Sequence, residues 1–185
     1  MATTIEDLDM PSIEHLDPDV ATFYEVVDGR IVENPPLWAR ESVLASKLQG
    51  LMGSVAISNG LGRVVMETLF LIDRVRKPHR RPDVAFVSKK RWSFKRVVPD
   101  AESWDVVPDL AIEVISRTYL ASAVNAKIDE YFQAGVSLVW VIYPVTTKIY
   151  VYDSPTSVRI LQLGDELDGE GVVPGFQVPL STMFG

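Results

Sequence analysis

Three residues stand out for what they could do together: Asp83, Glu113 and Lys127. Glu113 sits in Leu110 to Ile115, LAIEVI, a run that is otherwise apolar and largely β-branched, as a buried strand requires. A carboxylate in such a run is costly unless something pairs with it. Lys127 follows on the next helical segment, and Asp83 opens another apolar strand, PDVAFV. Two carboxylates and a lysine gathered at a sheet suit metal-dependent phosphodiester hydrolysis. Hard oxygen ligands, here Asp83 and Glu113, hold Mg²⁺ or Mn²⁺. Such an ion polarises a phosphate and acidifies a bound water, and an ammonium beside it orients that water or stabilises developing charge. A purely structural account stays open. Asp83 and Asp109 each follow a proline, a common turn dipeptide, and Glu113 with Lys127 could form a buried ion pair without catalytic use.

The elements that must position these groups are legible in part. Strand alternation places Asp109, Ala111, Glu113 and Ile115 on one face and Leu110, Ile112 and Val114 on the other. On the helix predicted over Ser122 to Gln133, with Gly135 as its stop, Val124, Ile128, Tyr131 and Phe132 form an apolar stripe. Lys127 falls at the edge of that stripe, where its ammonium reaches toward the sheet rather than open water. Upstream, Phe23 to Val27 and Arg30 to Glu33 around Asp28-Gly29 predict a hairpin. Trp38 to Asn59 predicts a long helix, with Val43, Leu44, Leu48, Leu51, Met52 and Val55 as its apolar side. Strands are expected over Gly62 to Ile72, Pro82 to Val87, Ser137 to Tyr143, Lys148 to Asp153 and Val158 to Leu163. A loop with one helical turn is expected over Lys89 to Val107, and an irregular apolar flap over Val172 to Phe184. Residues 1–19 read as an N-terminal arm, and residues 20–185 as one α/β or α+β domain with a mixed central sheet flanked by helices.

Composition narrows the chemistry. The 185 residues include no cysteine and two histidines, which removes thiol catalysis and makes a structural zinc site a poor fit. No apolar run is long enough to span a bilayer, so no membrane association is expected and a cytoplasmic location is the default. The net charge of −7 hides a sharp asymmetry. Arg74 to Arg96 holds ten Lys or Arg and a single acid, Asp83, a net of +9 that leaves the rest of the chain at −16. A local basic patch governs phosphate binding more than the global sum does. A solvated loop flanking a strand would show the same charges.

The segments RPDVAFV, VPDLAIEVIS, KIDEYFQAGVSLVWVIYP and VPGF, with YEVVDGRIVE upstream, together resemble the Uma family of restriction endonucleases. That family is a branch of the PD-(D/E)XK nuclease superfamily. The resemblance runs from about Tyr24 to Phe184. It implies a restriction-endonuclease-like fold, a Mg²⁺ (or Mn²⁺) site and cleavage of DNA. By position, Asp83 matches the aspartate of the family's PD motif and Glu113 its second acid. Ile115 stands where the wider superfamily keeps a lysine, and Lys127 occupies the place to which this family has moved it. Glu25 matches a further family acid. Ser116-Arg117 departs from the family's Ser-Pro, Asn125-Ala126 from its acids before the lysine, and Trp38 to Glu41 from its helix-opening histidine.

The expectation is therefore a metal-dependent endodeoxyribonuclease with Asp83, Glu113, Lys127 and Glu25 in its site. The alternative is a nuclease-fold protein, weak or inactive in catalysis, that binds nucleic acid or a protein partner. A sugar or acyl hydrolase with paired carboxylates leaves the basic window unexplained. A homodimer is also expected, since cutting both strands needs two sites. The aromatic residues Trp92, Phe94 and Trp104 are the expected contact.

Overall fold

The two most apolar runs, LAIEV and LVWVIY, lie side by side and parallel at the centre of the molecule. Parallel neighbours need a crossover connection, and a helix between the two supplies it. The computed structural model describes residues 23–34, 36–116 and 119–185; the expected arm over 1–19 lies outside them. In chain order the elements are β1 (Tyr24–Val27), β2 (Arg30–Glu33), α1 (Ala39–Ser58), β3 (Gly62–Met66), β4 (Phe70–Leu71), β5 (His79–Arg80), β6 (Val84–Ser88) and β7 (Leu110–Val114). They continue with α2 (Ala121–Ala134), β8 (Leu138–Tyr143), β9 (Lys148–Ser154), β10 (Ser157–Leu161), β11 (Glu166–Asp168), β12 (Gln177–Pro179) and α3 (Leu180–Phe184).

The main sheet has the order β10-β9-β8-β7-β6-β3 and is mixed, with only the β7–β8 pair parallel. A smaller sheet, β2-β1-β5-β4, carries the hairpin. Helices cover the main sheet on both sides, and a core fills each interface. On one face Val84, Phe86, Leu110, Ile112 and Val114 pack with Leu44, Leu48 and Met52 of α1. On the other, Ala85, Val87, Ala111, Ile115, Val139 and Val141 pack with Val124, Ile128 and Tyr131 of α2. The α2 face of the sheet is therefore the face that Glu113 shares.

Several expectations are corrected. The run from Gly62 to Ile72 is not one strand. Backbone at Glu67 takes a left-handed conformation, φ +47°, which ends β3 and sends the chain into the smaller sheet as β4. Val43 is 68% exposed. The buried side of α1 is instead Glu41, Leu44, Ala45, Leu48, Met52, Gly53 and Ala56, because small residues let the helix sit close to the sheet. The end of the chain is ordered into the β11–β12 ribbon and α3 rather than an irregular flap. Trp92 and Trp104 are buried against each other and against Phe70, so of the three aromatics only Phe94 offers surface.

Gly62 illustrates how tightly β3 is set on β6. A Cβ there would meet the Val87 carbonyl oxygen at 2.2 Å, and that oxygen is backbone and has little room to move. Gly62→Ala should destabilise the protein by about 1–3 kcal/mol, as overpacking in a filled interior does. A urea unfolding midpoint equal to wild type would contradict this close approach.

Candidate active site

Register brings the two carboxylates together. β6 and β7 run antiparallel with Val84 opposite Ile112, Ala85 opposite Ala111 and Phe86 opposite Leu110. One step further along the same ladder sets Asp83 opposite Glu113. Both then project from the α2 face, because residues directly across a pair share a face. The Val114 amide donates to Asp83 Oδ2 at 2.6 Å, which locks the aspartate against β7.

Lys127 arrives from α2, and Glu25 from β1. The ammonium lies 3.1 Å from Glu113 Oε2 and 3.0 Å from Glu25 Oε1, with the Tyr119 hydroxyl at 3.5 Å. Tyr131, one helical turn after Lys127, donates its hydroxyl to Glu113 Oε1 at 2.7 Å. Glu25 is held in turn by the Arg81 amide at 2.9 Å on Oε1 and by Arg80 Nη1 at 2.8 Å on Oε2. The rest of the Arg80 guanidinium clamps Glu130 of α2 through two contacts of 2.7 Å. Strand β1, the β5–β6 connection and α2 thus meet in one network of charge-assisted hydrogen bonds. Of the four site residues expected from the sequence, Glu113, Lys127 and Glu25 lie in it, and Asp83 stands beside it, held by the Val114 amide.

The balance of charge within the network is uneven. Glu25, Glu113 and Asp83 are buried carboxylates, and Lys127 and Arg80 are the buried cations. Arg80 is also shared with Glu130. Among the described residues, no cation lies within ion-pair distance of Asp83. Burial, reinforced by the neighbouring Glu113 charge, accordingly pushes the Asp83 carboxyl well above the usual carboxylate range. Glu113 is raised as well, chiefly by burial and against the pull of Lys127. Burial alone would lower the Lys127 ammonium, but Glu113 and Glu25 outweigh it and keep the lysine charged. Burial also pushes the Tyr119 hydroxyl up to about 12.

The donor set at Asp83 and Glu113 fits a hard divalent ion. Among the described residues no three His, Asp or Glu side chains gather as a metal cage. The Asp83–Glu113 pair offers two hard oxygen donors with surplus negative charge. Mg²⁺ commonly takes one or two carboxylates and fills its remaining positions with water or phosphate.

A cleft of about 370 Å³ opens over Glu25, Arg80 and Lys127, walled by Val27, Val32, Tyr119 and Leu120. The Tyr119 hydroxyl donates to Asn34 Oδ1 at 2.8 Å, joining the end of the hairpin to the approach of α2.

The family model described as "Uma2: Putative restriction endonuclease" matches residues 10–181. The chain belongs to the Uma2 family. It is also similar to a crystal structure from Anabaena variabilis ATCC 29413, described as a putative nuclease belonging to DUF820. The TM-score is 0.73 at 17% identity, over 87% of this chain and 89% of that one. At that identity the likeness speaks for the fold. Among curated proteins, none is detectably similar in sequence.

The sequence of this Uma2 chain did not reveal the parts played by Arg80, Arg81, Tyr131, Tyr119 and Glu130. Tyr131 was legible only as apolar stripe, although its spacing of four from Lys127 puts both on one helical face. Arg80 and Arg81 belong to the basic window, but Arg80 is 4% exposed and Arg81 donates to the Glu67 carbonyl at 2.6 Å. The basic window is therefore divided. Lys89 and Lys90 follow β6 at the end away from Asp83, about 20 Å along the strand.

The raised carboxyl of Asp83 makes a pH prediction for the metal-free protein. A carboxyl whose folded pKa exceeds its unfolded value binds its proton more tightly when folded. It adds stability below the ordinary aspartate range, and that stability is lost as pH rises toward the folded value. Asp83→Asn keeps an oxygen for the Val114 amide and removes the charge. The variant should be more stable than wild type at neutral pH, on the order of 1–3 kcal/mol, with the gap closing as pH falls to about 4. Thermal unfolding across that range in the presence of chelator checks it, and a gap that widens on acidification would contradict it.

Proposed function

We propose that this protein is a metal-dependent endonuclease that hydrolyses phosphodiester bonds in DNA, with Asp83 and Glu113 as the ligands of Mg²⁺ or Mn²⁺. The observation that carries the reading is that Asp83, one residue before β6 and bonded to the Val114 amide, stands within electrostatic reach of Glu113, which Lys127 contacts. Membership of a family described as restriction endonucleases supports it. When bound, the ion would polarise the scissile phosphate and acidify a water for attack.

The chain's own residues divide the remaining work. Glu113 is aimed by Tyr131 and Lys127, one on each oxygen. Lys127 stays an ammonium at physiological pH, so it serves as a hydrogen-bond donor and fixed positive charge, and not as a base. Its position is over-determined by Glu25 and Glu113, which removes the cost of reorganising it as charge develops on the phosphate. Arg80 fixes Glu25 and so acts on Lys127 at one remove. A second reading, binding without cutting, rests on a specific observation: both Glu113 oxygens already accept internal hydrogen bonds, which compete with a metal.

Glu113→Gln should lower plasmid cleavage with Mn²⁺ by at least about 10²-fold, the scale on which single electrostatic contacts to a transition state act. Its melting temperature without metal should fall, since Lys127 keeps only Glu25 as a buried carboxylate partner, and circular dichroism should show the fold retained. Wild type that leaves plasmid intact under Mg²⁺ and Mn²⁺ would favour the binding-only reading, and a fully active Glu113→Gln would show that another acid does the chemistry. The reading also includes a two-fold pair of sites for cutting both strands. Light scattering at micromolar concentration should then return twice 20.6 kDa, and the monomer mass would contradict it.

A further inference from the structure

The basic residues that the site does not use collect around the long connection from β6 to β7. From Val84 to Pro99 the chain has five Lys or Arg and no acid; acids resume at Asp100. Arg91 is the internal anchor of this loop. It pairs with Asp109 at 2.9 Å and donates to the carbonyls of Val107 at 3.0 Å and Gly135 at 2.6 Å, which pins the loop to the C-terminal end of α2. Gly135 itself takes a left-handed conformation, φ +94°, that ends the helix and presents that carbonyl.

The other charges are left outward. Among the described residues, no carboxylate lies within ion-pair distance of Lys89, Lys90, Lys95, Arg96 or Arg63. Two of them instead lie against rings. The Arg96 guanidinium is 3.6 Å from the centre of the Trp92 ring, and Arg63 is 4.9 Å from that of Phe94, which remains 50% exposed. Beside them is a bowl of about 630 Å³ lined by Arg74, Arg91, Trp92, Arg96, Gln133 and Asp105, among others. Its acids are already engaged: Asp105 with Arg74 at 2.9 Å, and Asp73 with the amides of Val75 and Arg76. Gln133 lies six residues after Lys127 on α2, so the bowl opens about 9 Å along that helix from the catalytic lysine.

Unpaired cations interleaved with a half-exposed ring match the chemistry of a single nucleic-acid strand, whose phosphates take the charges while bases stack on aromatic faces. A duplex would meet the cations but bury its base faces from Phe94. We infer that the Arg63, Phe94, Lys95 and Arg96 surface, with the adjoining bowl, binds a single-stranded stretch of DNA and feeds it toward Asp83 and Glu113. The inference rests on the endonuclease reading above for its direction, but its test does not.

Anisotropy of a labelled oligothymidylate, with chelator present to prevent cleavage, reads the surface alone. Phe94→Ala should weaken single-strand binding about tenfold, the loss of one stacked base, and Lys95→Glu with Arg96→Glu should weaken it further. A duplex of equal length should bind more weakly than the single strand and ignore Phe94→Ala. If three or four cations contact phosphate, log affinity against log salt should fall with a slope of about −2 to −3. Circular dichroism and the melting temperature of each variant show that the fold is intact. With metal restored, Phe94→Ala should raise KM on single-stranded substrate and spare kcat. Single-strand affinity unchanged by both variants, or a preference for duplex, overturns the inference while leaving the nuclease site standing. Loss of cleavage in wild type with single-strand binding intact overturns the endonuclease reading instead.

Discussion

The Lys127 ammonium between Glu25 and Glu113 is the interaction on which the arrangement depends. Three separate pieces of chain meet at this one buried charge: the hairpin sheet, the central strand β7 and helix α2. Each partner alone would be costly. An unpaired buried ammonium or carboxylate costs several kcal/mol, and removing one member of such a pair typically costs about 3–5 kcal/mol. The group is tolerable only because every member is satisfied at once, and Arg80, Arg81 and Tyr131 complete that satisfaction. Such a network specifies where α2 sits along the sheet more sharply than the apolar contacts of Val124 and Ile128 can, since hydrophobic packing has no direction.

The same network explains why Asp83 is different. It is held by the Val114 amide and, among the described residues, has no cation within ion-pair distance. Evenly paired buried charges would make a structural cluster; the surplus on this pair makes a place where added positive charge is welcome. Under the proposed function, that surplus is what would receive a divalent ion. The cleft over Glu25 and Lys127 lies on the same face of the sheet and gives that network an opening to the surface.

Much of this was legible in the sequence, for identifiable reasons. The strand carrying Glu113 was clear because a lone acid in an apolar, β-branched run must be paired. Lys127 was clear because helical periodicity put it beside the buried stripe. Gly135 and Asp28-Gly29 marked their turns because both take left-handed backbone there. What was hidden was hidden physically. The left-handed turn at Glu67 carries no glycine or asparagine to announce it. The buried side of α1 runs through Ala45, Gly53 and Ala56, whose small size counts in packing and not in hydrophobicity. Arg80 reads as surface charge until the partners that neutralise it, Glu25 and Glu130, are brought in from 55 and 50 residues away. Trp92 and Trp104 looked like an exposed aromatic surface because the long polar loop around them gives no periodicity; folded, they are what anchors that loop.

The proposed function rests on Asp83 and Glu113 holding a divalent cation, with Glu25 fixing the Lys127 ammonium beside Glu113. A crystal soaked in Mn²⁺ and recorded at the manganese absorption edge tests it most directly. The account predicts an anomalous peak within reach of the Asp83 and Glu113 carboxylates, with the Lys127 ammonium still beside Glu113. A crystal with no peak there at millimolar Mn²⁺, or with the ion elsewhere on the chain, would contradict it.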